Sequence, residues 1–156
     1  MGRAVPPTGL MGDPYRAAAR AYVVYGLVYL AGGLYLISQG VGTMGAPTTG
    51  ATTRTMLRWG VIGLIPLVVI PWLLSRPWSW LGGLASRRVF AGIVALLLAV
   101  RAVKVGEVAL RGGASVAAPW GGQVSFQAGA IVFLVVTLAA LAFVARAAIG
   151  RRPEIP

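Results

Sequence analysis

Four ionisable residues, Arg101, Lys104, Glu107 and Arg111, follow one another at spacings of three and four inside an otherwise apolar stretch. At about 100° per residue they fall on one helix face within roughly 120°. Three cations and one acid can hold an anion: a lipid phosphate between helices, a solute on an anion route, or a carboxylate of a neighbouring subunit. They can also satisfy one another, because Glu107 reaches Lys104 at three residues and Arg111 at four, as an ion-pair ladder that ends a helix. One acid is too little for a proton relay, which uses a chain of titratable groups. Contact with a partner or a lipid is the expectation here, ahead of transport.

A second group, Tyr22, Tyr25 and Tyr29, repeats at three and four near Gly26, Gly32 and Gly33. Tyr22 suits a membrane interface, whereas Tyr25 and Tyr29 fall deeper and need hydrogen-bond partners or a surface to lie against. Trp59, Trp72, Trp78 and Trp80 are expected as interface anchors, the last two beside Arg76, Arg87 and Arg88.

Other chemistry is excluded by what is missing. The sequence has no His and no Cys, which removes imidazole bases, thiolate nucleophiles and the usual ligands of zinc, haem iron and copper. Its three acids, Asp13, Glu107 and Glu154, are too scattered for a metal or glycosidase site. No phosphate-binding loop, dinucleotide fingerprint, HExxH or GxSxG motif occurs, and no His or inward Lys stands by to activate a hydroxyl. The sequence predicts a protein that is not an enzyme and uses no cofactor.

The elements that carry these residues follow from hydropathy. Of the 156 residues 58% are apolar and 11% charged, against about 25% charged in soluble domains. The apolar residues gather in blocks too long for a soluble core, so lipid is the solvent of most of the surface. Four spans are predicted within a single membrane domain covering 1–156, at about 21–41, 57–74, 89–110 and 126–149. The first is too long for the apolar region of a signal peptide and is expected to be retained. Pro66 and Pro71 interrupt the second, a defect tolerated where neighbours satisfy the freed carbonyls. Taking Val89 as the boundary of the third, Arg101 sits roughly 18 Å along a hydrocarbon core of about 30 Å. Along the same helix Ala91, Ala95, Ala99, Ala102 and Gly106 form a small-residue face expected to pack into the bundle, leaving the charged face to a neighbour or a cavity.

The arginines set the orientation. The formal charge of +11 comes from thirteen Arg and one Lys against three acids. With the N-terminus inside, Arg3, Arg16, Arg20, Arg76, Arg87, Arg88, Arg146, Arg151 and Arg152 lie on the cytoplasmic side, opposed by Arg54, Arg58 and Arg111. That bias places both termini in the cytoplasm, and explains the basic charge by topology and anionic headgroups rather than by nucleic acid.

The stretch GLVYLAGGLYL, Gly26 to Leu36, is similar to the opening helix of DoxX-like four-helix membrane proteins. The resemblance covers one span, lacks the basic residue that family tends to place at the end of that helix, and brings no function with it. Lacking an acid in the first span, the chain does not look like a small multidrug-resistance transporter. The sequence thus predicts an all-α, integral membrane four-helix bundle with short loops, in a bacterial inner or plasma membrane. Its expected role is as a non-catalytic accessory subunit of a larger membrane complex, of the respiratory or photosynthetic kind, contacting other membrane subunits and anionic lipids. The alternatives are a small oligomeric anion transporter or channel, and a lipid-binding assembly factor.

Overall fold

A computed structural model describes residues 13–41, 53–76, 86–111 and 115–150, with the side chains of the second segment described from Met56 on. Its elements are α1 (Pro14–Ser38), α2 (Thr53–Ser75), α3 (Arg87–Arg111), β1 (Ser115–Ala117), β2 (Gln123–Ser125) and α4 (Phe126–Ile149). All four helices are long and apolar enough to cross a membrane, with mean hydropathies of 1.6, 1.9, 2.1 and 2.7 over an 18-residue stretch of each. The chain is an all-α four-helix membrane protein of the multi-pass type.

Three helices begin earlier than the hydropathy boundaries, because hydropathy marks entry into hydrocarbon and caps mark where a helix starts. Asp13 caps α1, accepting from the Tyr15 amide, with Pro14 in the first turn where its missing N–H costs nothing. Ser86 Oγ accepts from the Val89 amide at the start of α3, and Ser125 Oγ from the Ala128 amide at the start of α4. Helix α2 runs as one helix through Pro66 and Pro71.

The segment before α4, expected as a plain loop, contains a short antiparallel hairpin in which Val116 pairs with Val124. The Gly121 amide donates to the Ala118 carbonyl around Pro119 and Trp120, and Gly121 and Gly122 take φ values of 92° and 84°. Those angles exclude most side chains, so the Pro-Trp-Gly-Gly order is what lets the chain reverse here.

Helix α1 packs on α2 and α4, and α3 on α4, while α2 and α3 barely meet. Glycines make the α1–α2 seam: Leu67 fills the space beside Gly26, Leu30 that beside Gly63, and the Trp59 indole that beside Gly33. Such close approach is how helices associate where lipid is as apolar as Leu. On α3 the buried stripe is Ala91, Val94, Leu98, Ala102, Val105 and Ala109, which takes in two of the five predicted small positions and lies beside the charged face.

The tightest packing lies at the end where α1 and α3 begin, around Ala18, Tyr22, Leu74, Ala91, Val144 and Ala147. Two arginines tie that end together. Arg87 donates from Nε to the Leu74 carbonyl at 2.7 Å and from Nη2 to the Ser75 carbonyl at 3.0 Å, reaches Asp13 at 3.4 Å, and lies over the Tyr15 ring. Arg88 donates to the carbonyls of Ala148 and Ile149 at 2.6 and 2.9 Å. The last carbonyls of α2 and α4, which no helical amide reaches, are thus answered by guanidinium groups whose charge also suits a helix C-terminus.

Candidate functional site

Away from the arginine end the helices splay around a cavity of about 640 Å³, walled by the second half of α1, the second half of α3, the first half of α4 and the hairpin. Small residues make the room: Ala31, Gly32 and Gly33 on α1 and Ala128, Gly129 and Ala130 on α4 all border it. A Cβ built on Gly32 or Gly129 would meet nothing within 4 Å. The hairpin covers the far end with Val116, Pro119 and Trp120, and the Tyr35 hydroxyl donates to the Ala117 carbonyl, fastening β1 to α1.

Arg101 lines this cavity and also a smaller one of about 210 Å³ between α1, α2 and α3. Its guanidinium carbon lies 4.7 Å from the ring centroid of Tyr29 and 6.0 Å from that of Phe133. Tyr25, Tyr29 and Phe133 stack on one another at centroid separations of 5.6 to 6.2 Å, a three-ring cluster under the cation. Arg101 Nε is buried and has no hydrogen-bond partner among the described residues.

Magnitudes show what this leaves unbalanced. An arginine near the middle of a span costs about 2.5–3.5 kcal/mol on the lenient insertion scale. A desolvated cation–π contact returns about 2 kcal/mol. The rings therefore reduce the cost of the charge without neutralising it. Among the described residues the ion pairs are Arg16–Asp13 and Arg87–Asp13, both at the other end, so no carboxylate balances Arg101.

The sequence-predicted constellation divides. Arg101 and Lys104 share the cavity wall, and Arg101 lies over Tyr29, with Tyr25 in the ring cluster behind. Glu107 and Arg111 are exposed further along α3, and the alternative of an ion-pair ladder is absent among the described residues: Lys104, Glu107 and Arg111 form no ion pair. Trp72 is exposed, with Arg76 over its ring. Trp59 departs from the anchor expectation, since its indole packs on Gly33 and Tyr29 and its Nε1 is buried without a partner among the described residues. Trp78 and Trp80 lie outside the described residues, as do residues 42–52 and Arg3, Arg151 and Arg152.

No family model, curated protein or solved structure matches this chain. The site must therefore be judged on its own geometry. Phe133 and Gly129 were not singled out by the sequence reading. A signal for Phe133 existed in its seven-residue spacing from Phe126, which puts these two rings on one face of α4. Gly129 had none, because its role is to leave space between helices.

Proposed function

We propose that this is a non-catalytic multi-pass membrane protein that holds an anionic membrane lipid between α1, α3 and α4. One observation carries the reading: Arg101, within the apolar span of α3, lines an apolar cavity and rests on Tyr29 and Phe133, with no carboxylate of the described residues to balance it. A charge in hydrocarbon pairs with something, and intramembrane basic pockets between helices are suited to anionic headgroups. Lys104, one turn further along α3 on the same wall, adds a second positive charge. The arginine bias favours a bacterial inner or plasma membrane orientation with both termini cytoplasmic and the hairpin outside.

The test is native mass spectrometry of the protein released from its own membranes in mild detergent. The expected result is a bound anionic lipid that is lost in Arg101→Met. A delipidated wild type indistinguishable from the variant would overturn the reading, and anion flux into liposomes that disappears in Arg101→Ala would replace holding by transport.

A second reading, an accessory subunit of a larger complex, is favoured by a different observation. Lys104, Glu107 and Arg111 are exposed along α3 and unpaired among the described residues, which suits charges supplied by another chain. Stoichiometric co-purification of larger subunits from native membranes supports that reading, and recovery of the protein alone counts against it.

A further inference from the structure

We infer that the ligand of the cavity is a single-chain anionic amphiphile, whose one carboxylate or phosphate sits on Arg101 and Lys104 and whose chain lies along the apolar wall. This rests on the reading that the cleft holds a membrane lipid, and it names the class of that lipid. Size is the first argument. A space of about 640 Å³ falls within the roughly 300–1,000 Å³ of pockets that enclose a ligand of drug size. One acyl chain with a small head is of that size, whereas a diacyl lipid would leave half of itself outside.

The head is constrained by how Arg101 is presented. Tyr29 covers one face of the guanidinium, and Nε is enclosed. Neither Nη is among the buried unpartnered atoms of the described residues, and their parallel N–H bonds match the two oxygens of a carboxylate or phosphate. Around them the wall is nearly all aliphatic, aromatic or glycine. A sugar or other polyhydroxyl head would lose its hydrogen bonds there, so a head consisting of the anion alone is selected.

Depth and access argue for a chain. Arg101 lies ten residues before Arg111, the end of α3, which is about 15 Å at 1.5 Å per residue. Among the residues lining the cavity only Lys104 joins Arg101 in carrying a charge, so a hydrated ion loses most of its water on entering it. An amphiphile already in the bilayer has a way in between α1 and α4, where exposed Gly32 and exposed Gly129 border the cavity and a Cβ on either would meet nothing within 4 Å. Burial of its chain then offsets the cost of bringing its head down to the cations.

The experiment uses the full-length protein in nanodiscs of zwitterionic lipid, with carboxyl-labelled palmitate and dodecyl phosphate as probes, acetate and inorganic phosphate as chain-less controls, and diacyl phosphatidylglycerol as the two-chain control. Bound probe is read by the shifted resonance of the labelled carboxyl or by phosphorus resonance. The expected result is that at least one single-chain probe binds, with affinity falling about tenfold to a hundredfold in Arg101→Met. Gly129→Leu fills the space without touching the cation, and is expected to lose the probe while unfolding at the wild-type temperature. Binding of phosphatidylglycerol but neither single-chain probe, dependent on Arg101, overturns this inference and leaves lipid holding intact. Equal binding of acetate or inorganic phosphate overturns it in favour of a free anion. Arg101-independent behaviour of every probe overturns both readings.

Discussion

The Arg101 guanidinium rests on Tyr29, 4.7 Å from the ring centroid, so the deepest charge of α3 is held by an aromatic face of α1. Neither residue is placed there by the other's helix. The contact exists because α1 and α3 both pack on α4 while remaining apart at the hairpin end, and Phe133 of α4 completes the cradle.

That contact predicts a trade of stability against binding. Arg101→Met keeps an unbranched, flexible side chain, shorter than that of arginine, and removes an unbalanced charge, abolishing a cost of about 2.5–3.5 kcal/mol at the loss of about 2 kcal/mol of cation–π attraction. The ligand-free variant is therefore expected to be more stable than wild type by about 1 kcal/mol, as functional sites often are when emptied of their charge. Reversible unfolding in mixed micelles measures it. A variant clearly less stable than wild type would show that Arg101 is a packing element.

Adjacent glycines of α1 are expected to respond in opposite ways. A Cβ on Gly33 would enter the Trp59 indole, whereas one on Gly32 meets nothing within 4 Å. Gly33→Ala should cost about 1–3 kcal/mol by overpacking the α1–α2 seam. Gly32→Ala should be neutral or gain up to about 1 kcal/mol from helix propensity. Equal effects in thermal unfolding would mean that Trp59 does not hold this position.

How far these relationships were legible in the sequence depends on whether they are local. Four spans, their order and the cationic face of α3 follow from hydropathy and a 3.6-residue period, which are properties of single segments. The hairpin was missed because SVA and QVS are too short to show alternation, although Pro119, Trp120, Gly121 and Gly122 together are a turn signal. Trp59 resembled an anchor by its place near a span end, and only the glycine opposite on α1 shows why the indole turns inward. Pairing of Arg101 with Tyr29 was out of reach. Both residues were candidates, but nothing in one sequence says which faces of two helices meet.

The arginine end supplies a test of stability independent of the cavity. Arg87→Ala removes two charge-assisted hydrogen bonds to the carbonyls of Leu74 and Ser75, at a side chain only 18% exposed. The expected cost is about 2–3 kcal/mol, nearly all from those carbonyls, since the partly exposed pair with Asp13 adds little. Arg87→Lys should recover less than half of it, because one ammonium cannot reach what the planar fork reaches. Full recovery in Arg87→Lys, followed by unfolding in detergent, would reduce the role of Arg87 to charge alone.

Orientation is the last expectation, and the absence of cysteine makes it clean to measure. Trp120 at the hairpin tip is 81% exposed, and Ser75 is exposed where α2 ends beside Arg87. The two positions lie at opposite ends of the bundle. If the arginine end is cytoplasmic, the thiol of Trp120→Cys reacts with a membrane-impermeant maleimide on intact cells, and that of Ser75→Cys reacts only after permeabilisation. The reverse pattern would invert the protein, and with it the leaflet from which an amphiphile reaches Arg101. Because Arg101 lies nearer the hairpin end, the proposed orientation makes the outer leaflet the source, so anionic amphiphile supplied from outside should fill the site first.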